Sequence, residues 1–177
     1  MRIPISLIVF PFIFACSGSN GMQKGNFKIS GRAERIGAYC GGARPTQEIL
    51  EKIKEPKPVV NTKFYVRKDT FNDVSQPVLL EFTTDSSGNF GISLPPGKYC
   101  IVNDQKKDKA YTEDLKKKYA VATEWYEAAD AACLEEWLRT PDAVLIVNGD
   151  VKDFVITWYD RCSWYIPCVN YTGPLPP

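Results

Sequence analysis

The spacing of apolar and polar positions changes several times along this chain, and each change predicts an element. Residues 27–33 (FKISGRA) alternate with period two, as a strand with one buried face does. Residues 63–68 (KFYVRK) and 78–83 (VLLEFT) are β-rich runs bounded by turn residues. Residues 85–89 then supply turn chemistry, with Gly88 free to take positive φ. Residues 89–94 predict a strand, Pro95-Pro96-Gly97 a tight turn, and residues 98–102 the returning strand. Two stretches switch to helical spacing. In 46–54, Ile49, Leu50 and Ile53 share a face before Pro56 stops the helix, and the following Pro-Lys-Pro is extended. In 112–138, Leu115, Tyr119, Ala122, Tyr126, Ala129, Cys133 and Trp137 recur at steps of three and four. Thr112 is placed to cap that helix, with Glu113 and Asp114 favourable in its first turn. Such a stripe docks on an apolar surface, here one face of the sheet. The lysines 106, 107, 109 and 116–118 are offset by nearby acids and read as a solvated face.

The first residues carry a different signal. After Met1 and Arg2, residues 3–15 (IPISLIVFPFIFA) hold no charge and end at Cys16. The run is shorter than the roughly 20 residues a spanning helix needs, and Pro4 and Pro11 weaken it as a helix. A charged start, a short apolar stretch and a small final residue describe a secretory signal. Ile13-Phe14-Ala15-Cys16 resembles the lipobox of bacterial lipoproteins, with Phe14 departing from the usual small residue. That resemblance implies lipidation of Cys16, cleavage after Ala15 and a membrane anchor of two or three acyl chains. Ser17 after the cysteine is similar to lipoproteins sent to the outer membrane of Gram-negative bacteria. Residues 16–25, rich in Gly, Ser and Asn, then serve as a flexible tether. The expected organisation is a signal at 1–15, a tether at 16–25 and a single domain at 26–177, with helical insertions at about 46–54 and 112–138.

Thr84, Asp85, Gly88, Phe90, Leu94, Pro95, Pro96, Gly97 and Tyr99 together resemble the turn motif of the carboxypeptidase regulatory-like family. Ile29-Ser30-Gly31 is similar to that family's first strand. Residues 143–158 are similar to its closing pair, with Asn148-Gly149 as a hairpin turn. The resemblance implies a mainly β chain, a Greek-key β-sandwich of the transthyretin type interrupted by helices. It implies little about activity, since one fold hosts many functions. Asp85 and Gly88 are expected to shape a turn, and Tyr99 to pack a corner.

Composition narrows the chemistry. The 177 residues hold 22 Lys+Arg against 21 Asp+Glu and no His. A net charge of +1 offers no dense basic face for nucleic acid. Without histidine there is no Ser-His-Asp or Cys-His nucleophile and no His-ligated zinc. Carboxylate pairs need no histidine, so a hydrolase of that type survives as a minor alternative. No cofactor, metal site or catalytic residue is expected. Of six cysteines, Cys16 is assigned to lipid. The other five, in an oxidising compartment, predict two disulfides and one free thiol. Short loops close at lower entropic cost, which favours Cys162 with Cys168 and Cys100 with Cys133, leaving Cys40 unpaired. The competing arrangement closes Cys40 onto Cys162 or Cys168. Near the C-terminus, Trp158, Tyr159, Trp164, Tyr165 and Tyr171 are candidates for stacking on a sugar or filling a core. The expected function is a non-enzymatic, lipid-anchored envelope module, binding or structural, with a protein or glycan partner. Its specific alternative is a carbohydrate-binding accessory lipoprotein.

Overall fold

The computed structural model describes residues 25–174. The signal, Cys16, nearly all of the tether and the last three residues lie outside them. The described residues are mainly β, two four-stranded sheets with three α-helices.

The alternation at the start becomes β1 (Phe27–Ile36), whose Ile29 and Ala33 face the core. β1 is the middle of the first sheet. Gly31 and Arg32 pair at once with Phe90 and Asn89 of β5 (Asn89–Leu94) and with Phe154 and Val155 of β8 (Val151–Tyr159). β5 is therefore on one edge of β1, antiparallel, and β8 on the other, parallel. The short β2 (Lys57–Pro58) continues the β5 edge. Gly31 is required by this arrangement: a Cβ there would collide with the Phe154 carbonyl, beside a bulge where Asp153 takes φ 56°.

The second sheet runs in the order β4 (Leu80–Thr83), β3 (Lys63–Lys68), β6 (Gly97–Asn103), β7 (Ala143–Val147), all antiparallel. Ile29, Ala33, Phe90, Leu94 and Ile156 from the first sheet meet Phe64, Val66, Phe82, Tyr99, Ile101, Leu145 and Val147 from the second. That shared layer is the sandwich core, and burying each large side chain contributes about 1.5–3 kcal/mol.

The predicted turns fall where expected but join different partners. β5 and β6 belong to different sheets, so Pro95-Pro96 is a corner between layers. The Tyr99 hydroxyl crosses back to donate to the Pro95 carbonyl at 2.8 Å. Likewise β7 and β8 lie in different sheets, so Asn148-Gly149 is a crossover and not the expected hairpin turn. In the Asp85 turn, Oδ1 accepts from the amides of Ser87 and Asn89, both at 2.8 Å, and Gly88 takes φ 80°. Those two bonds hold the Asp85 carboxyl below its ordinary value. The buried Thr84 hydroxyl donates to the Val59 carbonyl at 2.7 Å. These motif residues are occupied by the fold.

The helices correct the sequence reading in part. α1 (Gln47–Lys54) is capped by Thr46, whose side chain accepts from Ile49 N. The long stripe, however, is two helices, α2 (Ala110–Lys118) and α3 (Ala131–Arg139). Thr112 is no cap: its hydroxyl donates to the Lys109 carbonyl, and Asp108 Oδ1 accepts from Ala110 N. Asp130 caps α3 through the amides of Ala132 and Cys133. After Tyr119 the chain is not helical, and Trp125, Glu127 and Asp130 instead form backbone bonds with the C-terminal segment. Lys106 is likewise not part of a solvated face. It is buried, and its Nζ donates to the Thr140 carbonyl at 2.9 Å and to Asp142 at 3.1 Å.

On the outer face of the second sheet, Tyr65, Arg67, Cys100 and Val102 are also buried, so a third layer covers β3 and β6. The hydrogen bonds say what covers them. Arg67 donates to the carbonyls of Gln76 and Lys107 and to Asn72 Oδ1, and Asn72 Nδ2 donates to the carbonyls of Lys106 and Leu138. The loop 69–79, the single 3₁₀ turn Asp104–Lys106 and the end of α3 thus close over the sheet.

Candidate binding surface

Both disulfides converge on the C-terminal segment, and neither is the preferred pairing. Cys40 is joined to Cys162 and Cys133 to Cys168, while Cys100 is free and buried. The local pairing fails for a physical reason. β1 and β8 pair in parallel as far as Ile36 and Tyr159, and Asp160 N continues the ladder to the Ile36 carbonyl at 2.8 Å. That contact has already closed the long loop, so Cys40 and Cys162 meet at little further entropic cost. Cys133 lies in the first turn of α3, exposed and turned towards Cys168, whose carbonyl accepts from Asp130 N at 3.0 Å. Cys100 faces away, under the third layer, where burial pushes its thiol up.

The segment 160–174 is thereby tied to the loop after β1 and to the helical insertion. Glu127 N donates to the Asn170 carbonyl at 2.9 Å and Thr172 N to the Trp125 carbonyl at 2.8 Å. Tyr126 and Tyr171 form a bridge between the two stretches. Beneath them Leu115, Tyr119, Leu134 and Val169 make a second small core.

The sequence-predicted aromatics divide. Trp158 belongs to the sandwich, its ring 5.3 Å from that of Phe64, with its indole N–H buried and unpartnered among the described residues. Tyr159 ends β8 and is 68% exposed. Trp164 and Tyr171 join a ladder of rings, Tyr119 to Tyr126 at 5.4 Å, Tyr126 to Tyr171 at 5.2 Å and Tyr171 to Trp164 at 6.1 Å. Tyr165 is exposed, with the Arg161 guanidinium 4.9 Å from its ring centre. Trp125, 43% exposed, directly precedes Tyr126 of this ladder and lay within the span of the presumed helical stripe. Its polar neighbours Thr123 and Glu124 are the signal that points to a surface position.

A cleft of about 910 Å³ lies elsewhere, between the 71–75 loop, α2 and α3. Asp73, Asp108, Glu113 and Glu135 face Lys109, Lys116 and Arg139 around it. Its charges offset one another, and Asn72 and Thr112 there spend their polar atoms on Arg67 and on backbone carbonyls. Among the described residues no group of three His, Cys, Asp or Glu is placed to hold a metal, and no helix is long and apolar enough to cross a membrane.

No family model and no curated protein matches the chain. Among solved structures, the shaft pilin SpaA from Lactobacillus rhamnosus GG is similar at 11% identity and TM-score 0.37, over 76% of this chain. This chain spans about half of that protein, 48%. The N-terminal domain of the same pilin matches at 10% identity and TM-score 0.37, over 75% of this chain and 92% of that one. The Bacillus anthracis TIE protein matches at 11% identity and TM-score 0.29, over 76% of this chain and 17% of that one. Likeness this distant leaves the assembly and partners of those proteins with those proteins.

Proposed function

We propose that this chain is a non-enzymatic module of the cell envelope, exported, oxidised and held at a membrane by lipid on Cys16. The observation that carries the reading is the pair of disulfides Cys40–Cys162 and Cys133–Cys168. Disulfides persist in oxidising compartments, and the apolar run ending at Cys16 supplies the export signal and the anchor. A regulatory-like sandwich suits that role, and the Tyr99–Pro95 corner supports the family resemblance.

The strand order supports a division of labour. The tether enters at Phe27, where Lys28 N meets Asp150 at 2.9 Å beside the crossover. The loop after β1 and the C-terminal segment leave from the other end, at Ile36 and Tyr159. Ten strand residues, about 33 Å, separate the two ends. The disulfide-held aromatic surface therefore starts at the end away from the anchor.

Mass spectrometry of the native protein tests the anchor: the expected mature N-terminus is acylated Cys16, abolished by Cys16→Ser. Any other mature terminus overturns the reading. The aromatic ladder favours a second, more specific version, in which Trp125, Trp164, Tyr165 and Tyr171 stack on a carbohydrate. Retention on immobilised polysaccharides, lost in Trp164→Ala with the melting temperature unchanged, is its expected outcome. Equal retention of the variant removes it.

A further inference from the structure

Each sheet of this sandwich ends in edge strands, and the edges are not equally defended. A free edge offers unpaired N–H and C=O groups to any passing strand, and folded proteins blunt it with charge, proline, bulges or shortness. β8 carries Lys152 and the bulge at Asp153. β2 contains Lys57 and Pro58. β4 is four residues long and carries Glu81, paired with Lys63. β5 turns small or polar residues, Gly91 and Ser93, outward.

β7 has none of these devices. Its five residues are Ala-Val-Leu-Ile-Val, and among the described residues its backbone bonds only to β6. Val144 and Ile146 alternate with the buried Leu145 and Val147, so both lie on the outer face of the sheet. Val144 stands directly opposite Cys100, which the third layer covers completely, yet Val144 itself is 41% exposed and Ile146 58%. The cover stops one strand short of the edge.

We propose that β7 is a self-association edge, pairing antiparallel with β7 of a second copy of this chain. The strand is self-complementary. In a register centred on Leu145, residue 144 of each copy faces residue 146 of the other, and directly opposed side chains share a face. The four exposed side chains, Val144 and Ile146 from each copy, then form one apolar cluster on one continuous eight-stranded sheet. A two-fold axis normal to the sheet preserves that face on both copies, as an isologous dimer requires. β7 carries no charge and the whole chain only +1, so the copies do not repel.

The area decides the strength. Two five-residue strands and four side chains cover far less than the roughly 1,200 Å² of a stable complex. The dimer is therefore weak and concentration-dependent, favoured where copies are crowded on a surface. The pairing inverts one copy against the other. The stretch from Cys16 to Phe27 reaches about 38 Å when extended, longer than β1, so both anchors still reach one membrane.

The test is sedimentation velocity of the full-length chain in density-matched detergent, between about 10 and 1,000 µM, the span of a weak interface. A reversible monomer–dimer equilibrium is expected. Ile146→Lys and Val144→Lys should each raise the dissociation constant at least tenfold, since a charge then faces the apolar Val144 or Ile146 of the other copy and loses water on pairing. Leu79→Lys, an exposed apolar residue away from β7, should leave it unchanged. Hydrogen exchange of the 143–147 amides, slower at high concentration, provides a readout independent of any variant. A chain that stays monomeric throughout, or a dimer indifferent to both β7 lysines, overturns the proposal.

Discussion

Arg67 and Asn72 are joined by a hydrogen bond of 2.9 Å in the closed space between the second sheet and the layer that covers it. Arg67 is 3% exposed and forms no ion pair among the described residues. Its charge is spread over three neutral oxygens, those of Gln76, Lys107 and Asn72, which lie in three directions. A planar guanidinium reaches all three, whereas an ammonium on a flexible stem does not. Arg67→Lys is expected to cost about 2–3 kcal/mol, the scale of leaving buried acceptors unpaired. Asn72→Ala should cost at least as much, because it strips partners from Arg67 and from the carbonyls of Lys106 and Leu138. Urea denaturation of the two single variants and the double variant measures the coupling. Additive losses would show that the two residues do not act as one network.

The two disulfides close loops of 122 and 35 residues. Loop-closure entropy alone gives about 5 kcal/mol for the first and about 4 kcal/mol for the second. Replacing both cysteines of a pair with serine is expected to lower the urea midpoint in each case, more for Cys40–Cys162. Loss of Cys133–Cys168 should in addition raise hydrogen exchange at the amides of Glu127 and Thr172, which donate to the carbonyls of Asn170 and Trp125. Unchanged exchange there would mean the backbone ribbon holds without the bond.

Gly31→Ala sets a Cβ against the Phe154 carbonyl and the Phe90 ring at the same time. Neither neighbour is the free end of a flexible chain, so β8 must move off β1. A loss of about 2–4 kcal/mol is expected, read as a drop in thermal midpoint. Gly91→Ala, whose Cβ meets nothing within 4 Å, is the matched control and should stay near neutral.

Alkaline stability follows from Tyr65. Burial, then the hydrogen bond to Asp104 at 2.8 Å and that carboxylate's charge, push its phenol up to about 12. A group whose folded value lies above its unfolded value near 10 contributes fully below pH 10, and that contribution is lost as pH rises to 12. Stability is therefore expected to fall across this window. Tyr65→Phe should flatten the fall in urea midpoint between pH 10 and 12. Burial pushes Tyr99 and Tyr111 in the same direction, so some slope should remain.

What the sequence determined by itself were the local elements. Alternation and turn chemistry marked β1, β3, β5 and β6 because the side-chain period and a turn's φ requirement act within a few residues. The spacing of Ile49, Leu50 and Ile53 announced α1, and Asp85 and Gly88 announced their turn, for the same reason. The tertiary structure decided everything that depended on which element met which. Asn148-Gly149 has hairpin chemistry yet joins two sheets, because β8 finds its partner in β1, more than a hundred residues earlier. The stripe from Leu115 to Trp137 keeps helical spacing, but Trp125, Glu127 and Asp130 give their backbone to a C-terminal segment that no local pattern could bring there. The cysteines follow the same logic. Entropy favoured the short loop only for a chain not yet folded. Once β1 and β8 were paired, distance in sequence no longer set the cost, and Cys162 bonded to the cysteine the sheet had placed beside it.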